Sequence, residues 1–263
     1  MLHYSPPNFP VTPLDNALQD KVVLITGGAR RVGAAICRLL HAGGANLMIH
    51  HRTSVSEARA LQSELNLQRP KSAAIIQGDL LNVAMLSNLV QETVSHFGKL
   101  DVLINNASSY YQTEIGEIGE QEWDDLMGSN LKAPLLLSQA AAPELRKQHG
   151  CIVNITDMHV ERPKKGYVVY SVAKAGLVTL TRSLAQELAP EVRVNAVAPG
   201  PVLWPEDNPQ FDEVYRQRVV SQTLLKRVGQ PEDVARAVRF LIQDASFTTG
   251  HIIAVDGGRS LNL

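Results

Sequence analysis

The amino-acid sequence predicts an α/β fold, a doubly wound parallel sheet of seven strands with helices on both faces. Seven short apolar runs rich in Val and Ile recur along the chain, as in strands that are buried on both faces of a parallel sheet. Amphipathic stretches of helical length separate these runs, and such an alternation predicts parallel strands joined by helices. Because the crossovers in such sheets are almost always right-handed, we expect a doubly wound topology.

The predicted elements follow one another from residue 21 without a linker or an internal repeat, so we expect residues 21–263 to form one domain. Residues 1–20 carry four prolines and little periodic pattern, and we interpret them as an extended arm. Helices are predicted at Ala34–Ala42 and, most clearly, at Val83–Phe97. The strands are expected at Val22–Thr26, Asn46–His50, Ala73–Gln77, Leu100–Asn105, Cys151–Thr156, Val192–Val197 and Ile252–Val255.

The composition excludes several classes of function. The chain has 25 Lys and Arg against 26 Asp and Glu, so we expect neither nucleic acid nor an anionic membrane as a partner. Its longest apolar candidate, Ala133–Pro143, has 11 residues, whereas a membrane span needs about 20. With no evident secretory signal, we expect a soluble cytoplasmic protein. The two cysteines form no disulfide framework and the histidines lack ligand spacing, so no metal is expected.

A glycine-rich turn follows the first predicted strand and opens the first helix, with the sequence Thr26-Gly27-Gly28-Ala29-Arg30-Arg31-Val32-Gly33. Ligands of open parallel sheets bind at the carboxyl ends of the strands. Glycines at such a turn let the backbone approach a pyrophosphate, and the helix N-terminus offers it free N–H groups. We therefore expect a dinucleotide in contact with Gly27, Arg30, Arg31 and Val32, the alternative being a purely structural turn.

The end of the second strand indicates which dinucleotide is bound. An NAD site carries an acidic residue about 20 residues beyond the glycines, but here the chain reads His51-Arg52-Thr53. A 2′-phosphate, with a charge of about −1.5 to −2, binds guanidinium and hydroxyl groups. These three residues, aided by Arg30, predict NADPH, the alternative being a solvated basic loop.

Polar residues also follow the third and fourth strands. Asp79, beside Leu80, could accept a hydrogen bond from the adenine amino group, although aspartate at this position is equally common as a helix cap. The segment Asn106-Ala107-Ser108 is small and polar, and a flat cofactor could lie against it.

The reacting centre is predicted at the end of the fifth strand. Asp157 ends that strand, and Tyr170 follows 13 residues later, with Lys174 four residues further on. On a helix, the tyrosine and the lysine lie on one face. A phenol has a pKa of about 10, and a nearby ammonium favours its ionised form. We therefore expect Tyr170 to donate a proton, while Lys174 lowers its pKa and binds the nicotinamide ribose.

Four motifs make the sequence similar to the short-chain dehydrogenase/reductase family over about residues 20–263. They are the Thr-Gly-x-x-x-(Gly or Arg)-x-Gly turn, Asn105-Asn106-Ala107, Tyr170-x-x-x-Lys174 and Pro199-Gly200. The resemblance implies a Rossmann-type fold and cofactor contacts at Pro199 and Gly200. It also implies that Asn130 supports a water beside the lysine, and that Gln210–Gln222 forms a substrate lid near Trp204 and Tyr215.

Two departures from the family pattern resemble its pteridine reductase branch. Arg31 stands in place of the central glycine, and Asp157 stands in place of the catalytic serine. The segments around Arg52 and from Asn106 to Tyr110 are also similar to this branch. The branch implies a homotetramer in which Tyr110 stacks on a pterin. It further implies that the substrate contacts Arg31, Ser108, Tyr110, Asp157 and Tyr170.

The aspartate at position 157 indicates which class of substrate the enzyme reduces. A ketone reductase needs a neutral donor toward an oxygen that becomes negative, whereas a pterin presents N–H and amino donors that suit a carboxylate. Asp157 could also orient Tyr170 or share its proton, or it could simply cap the following loop. We therefore favour NADPH-dependent reduction of dihydropterins, such as dihydrobiopterin or dihydromonapterin, or of dihydrofolate. The alternatives are a 3-oxoacyl or sugar carbonyl reductase and a non-catalytic NADPH-sensing protein.

Overall fold

Seven parallel strands form one sheet in the computed structural model, which describes residues 17–204 and 212–262. The strands are β1 Val22–Ile25, β2 Asn46–His51, β3 Ala73–Gln77, β4 Val102–Asn105, β5 Cys151–Ile155, β6 Arg193–Pro199 and β7 Ile252–Val255. They lie in the order β3-β2-β1-β4-β5-β6-β7, and each pairing is parallel. The predicted doubly wound sheet is therefore confirmed.

Helices cover both faces of this sheet, as predicted. The described α-helices are α1 Arg31–Ala42, α2 Val55–Gln68, α3 Val83–Phe97, α4 Glu120–Met127, α5 Ala133–Lys147, α6 Val168–Glu187, α7 Glu213–Gln222 and α8 Pro231–Gln243. Buried residues of α1, α2 and α8 share one core cluster with the sheet. Residues of α3, α5 and the end of α6 form a second cluster with it. The sheet is thus buried between two layers, which explains the continuous apolar runs of its strands.

Several boundaries differ from the predicted ones. α1 begins at Arg31 rather than Ala34, because its first turn faces a cleft and carries no apolar periodicity. β4 begins at Val102 rather than Leu100, since its pairing with β1 and β5 starts there. Leu18, which the sequence placed in the arm, is only 2% exposed and belongs to the first core cluster. Residues 1–16 of the predicted arm lie outside the described residues.

The order of the strands reverses between β1 and β4, and the loops that follow these two strands lie side by side. The N–H of Thr26 donates to the carbonyl of Ile104 at 3.0 Å. The hydroxyl of Thr26 accepts the N–H groups of Asn106 and Ala107, each at 3.0 Å. This point of reversal is where open parallel sheets bind their ligands. Across the described ranges, no helix combines the length and apolarity needed to cross a membrane.

Candidate active site

A cleft of about 690 Å³ lies at the carboxyl ends of the strands. All of the residues that the sequence predicted for cofactor and substrate binding line this one cleft. They are Gly27, Arg30, Arg31, Val32, His51, Arg52, Thr53, Asp79, Leu80, Asn106, Ala107, Ser108, Tyr110, Asp157, Tyr170, Lys174, Pro199 and Gly200.

The glycine-rich turn forms a backbone cradle in this cleft. Gly27 has a φ of +60°, and a Cβ atom on it would lie 2.9 Å from the Cα of Ala107. A Cβ atom on Gly33 would collide with the carbonyl oxygen of Gly27. The side-chain amide of Asn106 donates to that same oxygen at 2.9 Å and fixes the turn. The turn lines the cleft at the start of α1, where no side chain caps the helix N–H groups, and such a helix N-terminus can bind a pyrophosphate.

His50 connects this cradle to the loop after β3. Its Nδ1 accepts the N–H of Gly27 at 3.2 Å, and its Nε2 lies 3.1 Å from the carbonyl of Gly78. These partners place the ring proton on Nε2. Burial lowers the pKa of His50 to about 4, so the ring is neutral at pH 7. No sequence pattern indicates this role, because the two partners are backbone groups of distant segments.

The residues after β2 form the basic end of the cleft. Arg52 is exposed, and its guanidinium lies 4.0 Å from the carboxylate of Asp125 on α4. Arg30 lies 3.5 Å from Glu57. His51, which was predicted to aid phosphate binding, also lines the cleft. It is buried, and burial followed by the charge of Arg59 lowers its pKa, so the positive charge at this end comes from the two arginines.

Asp79 is not the cap of α3, the alternative that its sequence position left open, because Asn82 is the N-cap and its side chain accepts the N–H of Ala84. Its side chain is exposed on the loop after β3, and its Oδ1 accepts the backbone N–H of Leu81 at 3.0 Å. This hydrogen bond stabilises the turn that leads toward α3, while Asp79 and its neighbour Leu80 line the cleft. Asp79 therefore forms a turn, and its hydrogen bond to the adenine amino group stays a prediction.

Asn130 holds the loop that carries Ser108. It is fully buried in a π-helical turn, Gly128–Lys132, between α4 and α5. Its Oδ1 accepts the hydroxyl of Ser108 at 2.7 Å, and its Nδ2 donates to the carbonyls of Ser109 and Leu126, each at 3.0 Å. Asn130 is thus a positioning residue for this loop, and π-helical turns often occur at functional sites.

Asp157 and Tyr170 are directly hydrogen bonded. The phenol of Tyr170 donates to Oδ2 of Asp157 at 2.8 Å. The other carboxylate oxygen, Oδ1, accepts the backbone N–H of His159 at 2.7 Å. Two roles that the sequence left as alternatives, orienting the tyrosine and capping the loop, are therefore both present. They use different oxygens of one carboxylate.

The electrostatics of Tyr170 differ from the prediction. Burial, then the charge of Asp157 and its hydrogen bond, raise the pKa of Tyr170 well above its usual value of 10. Lys174 lies 5.8 Å from the centre of the tyrosine ring, and its ammonium donates to the carbonyl of Ile155 at 2.8 Å. Burial lowers the pKa of Lys174 to about 8. The expected lowering of the tyrosine pKa by this lysine is therefore wrong for this structure, and Tyr170 holds its proton at neutral pH.

Tyr110 contacts Tyr170, the predicted proton donor. Its ring lies edge-on to Tyr170, with centres 4.9 Å apart, and it is stacked on Tyr167 at 4.7 Å. Lys164 donates to the Tyr110 hydroxyl at 3.4 Å. The sequence predicted that Tyr110 stacks on a substrate, and the structure adds that Tyr167 covers one face of its ring. Lys164 also lines the cleft, and it was not predicted as a site residue.

Comparisons with known proteins identify the family. The model of a short-chain dehydrogenase family, described as Enoyl-(Acyl carrier protein) reductase, matches residues 27–260. The chain belongs to the short-chain dehydrogenase/reductase family. It is therefore an oxidoreductase of this family. Among its relatives is pteridine reductase 1 of Leishmania tarentolae, which is 38% identical over 91% of this chain and 96% of the relative.

Other relatives of this short-chain dehydrogenase/reductase have different names. A 3-oxoacyl-[acyl-carrier-protein] reductase of Staphylococcus epidermidis is 35% identical over 91% of this chain and 98% of its own length. A putative ketoacyl reductase of granaticin polyketide synthase from Streptomyces violaceoruber is 33% identical over 94% of this chain and 98% of the relative. Similarity in sequence therefore establishes the family and leaves the substrate to be argued from the site.

Arg31 is one of the two departures of this short-chain dehydrogenase/reductase from the ordinary family pattern. Its backbone has a φ of +52°, in the left-handed region that favours the glycine it replaces. Its guanidinium crosses the cleft and donates to the carbonyl of Trp204 at 3.3 Å. Arg31 thus links the glycine-rich turn to the segment after β6. The predicted lid lies partly outside the described residues, since residues 205–211 are not described.

The cleft also contains Pro199 and Gly200, the predicted cofactor contacts at the end of β6. Gly200 lies so close to Asp256 that a Cβ atom on it would be 2.6 Å from the aspartate Cα. Pro199 is the last residue of β6, and both residues line the cleft. In the part of the chain that the structure describes, no three His, Cys, Asp or Glu side chains are grouped as metal ligands.

Proposed function

We propose that this protein reduces pteridines, with NADPH as the cofactor. The observation that carries the proposal is the carboxylate of Asp157, which stands at the serine position of the family and accepts the Tyr170 hydroxyl at 2.8 Å. A carboxylate there suits a substrate that presents N–H and amino groups. It would oppose the negative charge that develops on the oxygen of a reduced ketone.

The cradle fits a dinucleotide pyrophosphate, because the glycine-rich turn lines the cleft at the N-terminus of α1, where no side chain caps the helix N–H groups. The exposed Arg52 and the absence of an acid in the segment His51-Arg52-Thr53 support a 2′-phosphate. When bound, NADPH supplies the hydride. The residues that would hold it are Gly27, Arg30, Arg31, Val32, Arg52, Thr53, Asp79, Leu80, Asn106, Ala107, Ser108, Lys174, Pro199 and Gly200.

The residues of this chain then have separate tasks toward a pteridine. Asp157 accepts hydrogen bonds from ring N–H or amino groups and fixes the ring in the cleft. Tyr170 holds a proton at neutral pH and delivers it to the ring nitrogen next to the carbon that is reduced. Lys174 binds the cofactor ribose, and Tyr110 packs against the substrate ring.

A second candidate is the reduction of a 3-oxoacyl thioester. It is favoured by the 35% identity to a 3-oxoacyl-[acyl-carrier-protein] reductase and by the description of the matched family model. The 38% identity to pteridine reductase 1 supports the first candidate. A non-catalytic NADPH sensor is disfavoured, because the hydrogen-bonded Asp157–Tyr170 pair has no function in cofactor binding alone.

A comparison of substrates tests the proposal. Oxidation of NADPH by the purified protein is measured with dihydrobiopterin, with an acetoacetyl thioester and without substrate. We expect turnover with dihydrobiopterin at a kcat/KM at least about 100-fold above that with the thioester, a difference of about 2.7 kcal/mol. Turnover of the thioester alone would support the second candidate, and binding of NADPH without turnover would support a sensor.

The proposal also extends to assembly and location. The resemblance to pteridine reductases implies a homotetramer, and the composition is consistent with a cytoplasmic protein. Light scattering of the purified protein would give its mass in solution, and a mass of one or two chains would contradict the tetramer.

Replacement of Arg52 by Asp is expected to convert cofactor preference. We expect the KM for NADPH to rise at least about 30-fold while the KM for NADH changes less than about threefold, because only NADPH carries the 2′-phosphate. Steady-state kinetics with both cofactors measure this. Arg182→Asp is the matched control, since Arg182 is exposed on α6 and does not line the cleft. Equal losses with both cofactors in Arg52→Asp would reject the assignment.

Replacement of Arg31 by Gly separates a substrate role from a phosphate role. We expect kcat/KM for a dihydropterin to fall at least about tenfold, or about 1.4 kcal/mol, and the Kd for NADPH to weaken by a smaller factor. The fold should tolerate this change, because glycine adopts the φ of +52° without strain. Arg30→Ala is the control, and it should weaken only the binding of NADPH. If Arg31→Gly weakens the binding of NADPH by the same factor by which it lowers kcat/KM for the dihydropterin, Arg31 binds only phosphate.

A further inference from the structure

Lys164 stands where the cleft meets a second cavity of about 830 Å³. The second cavity is lined by Gln112, Glu114 and Ile115 of the loop after β4, by the loop after β5 and by the first two turns of α6, and Lys164 is on the border of both spaces. Its neighbour Lys165 lines only the second cavity. Lys164 lies in the connection between Asp157 and Tyr170, so the same loop carries the two reacting residues at its ends.

Aromatic rings hold the Lys164 ammonium beside the reacting centre. The ammonium lies 4.4 Å from the centre of the Tyr167 ring and 5.7 Å from that of Tyr215. It also donates to the hydroxyl of Tyr110 at 3.4 Å, and Tyr110 in turn contacts Tyr170 edge-on. Cation–π contacts of this kind hold a cation in one place. The ammonium is thus one ring away from the tyrosine that delivers the proton.

The charges of the cleft differ between its two ends. Arg30 and Arg52 lie at the end assigned to the cofactor phosphates, and Lys174 is buried beneath the reacting centre. Lys164 lies at the other side of Tyr110. Among the described residues that line the cleft, the acidic ones are Asp79, on the loop after β3, and Asp157, which is hydrogen bonded to Tyr170. The Lys164 ammonium therefore borders the side to which a substrate substituent beyond Tyr110 would extend.

We propose that Lys164 binds an anionic group, a phosphate or a carboxylate, on the side chain of the substrate. This inference rests on the proposed function, because it takes the ring of the substrate to be a pteridine packed against Tyr110. An ammonium forms strong charge-assisted hydrogen bonds with either anion. The enzyme then prefers pteridines with a charged side chain over neutral ones.

The test compares three substrates in four proteins. The substrates are dihydrobiopterin, which has a neutral side chain, dihydroneopterin monophosphate, which carries a phosphate, and dihydrofolate, which carries carboxylates. The proteins are the wild type, Lys164→Met, Lys164→Arg and Lys165→Met. Methionine keeps an unbranched stem that packs on Tyr167 and removes the charge, whereas arginine keeps the charge.

We expect Lys164→Met to lower kcat/KM at least tenfold for one or both anionic substrates, mainly through KM, and less than twofold for dihydrobiopterin. Lys164→Arg should retain most of the wild-type preference, and Lys165→Met should resemble the wild type. The KM for the preferred anionic substrate should rise with ionic strength, because salt screens the attraction. A loss confined to the phosphate or to the carboxylate substrate identifies the anion.

Other outcomes overturn the inference. An equal loss of kcat/KM with all three substrates in Lys164→Met means that the lysine only supports the packing of Tyr110. An unchanged kcat/KM with both anionic substrates means that Lys164 does not bind the anionic group. If the wild-type protein reduces no pteridine but reduces the thioester, the proposed function fails and the inference fails with it. If the wild-type protein and Lys164→Met both reduce all three pteridines equally well, the proposed function stands and only the anion-binding role of Lys164 fails.

Discussion

Tyr170→Phe is expected to lower the kcat for dihydropterin reduction by about 10²–10⁴-fold, because general acid catalysis contributes a factor of this size. The phenol of Tyr170 is hydrogen bonded to Asp157 at 2.8 Å, and its pKa is raised by burial and then by the charge of that carboxylate. The group is therefore protonated at pH 7 and remains so into the alkaline range. Phenylalanine keeps the ring that contacts Tyr110 and removes only the proton donor.

Two measurements separate the loss of the donor from a loss of binding. Fluorescence titration should give a Kd for NADPH within about twofold of the wild-type value, while single-turnover kinetics show the slow step. Tyr111→Phe is the matched control, since Tyr111 is near the substrate loop but does not line the cleft. A kcat close to normal in Tyr170→Phe would assign proton delivery to Asp157 or to water.

The sequence predicted the location of the site better than its electrostatics. Apolar runs specified the seven strands, and in a parallel sheet the residues after each strand meet at one edge. For this reason segments as distant as Gly27, Asp79 and Gly200 could be assigned to one cleft before any contact was known. Whether a residue directly follows a strand is a local property of the sequence, so local patterns predict it.

Such local patterns do not predict contacts between distant segments. The pKa of Tyr170 depends on burial and on which oxygen of Asp157 it meets, and the spacing to Lys174 gives neither. The two hydrogen bonds of His50 go to backbone groups, which have no sequence signature. Lys164 belongs to a loop without periodicity, and only the stacking of Tyr110 on Tyr167 shows that it lies beside the reacting centre.

Asp157→Ser, which restores the ordinary residue of the family, is expected to reverse the substrate preference. We expect the ratio of kcat/KM for dihydrobiopterin to kcat/KM for an acetoacetyl thioester to fall at least about 100-fold. The serine hydroxyl can donate to an oxygen that becomes negative, and one such donor is worth about 10²–10³-fold. The same change removes the acceptor for the N–H and amino groups of a pterin, so the two terms of the ratio move in opposite directions.

The variant also has a readout that does not depend on substrate. Asp157 raises the pKa of Tyr170 through its charge and its hydrogen bond, so the pKa of Tyr170 should fall in Asp157→Ser. Absorbance of the phenolate, followed with rising pH, should then show one tyrosine ionising at lower pH than in the wild type, and the additional mutation Tyr170→Phe should abolish this step. Serine can still cap the N–H of His159, so the melting temperature should change little. An unchanged substrate ratio together with a lowered tyrosine pKa would mean that Asp157 tunes Tyr170 without selecting the substrate, and the pteridine assignment would lose its main support.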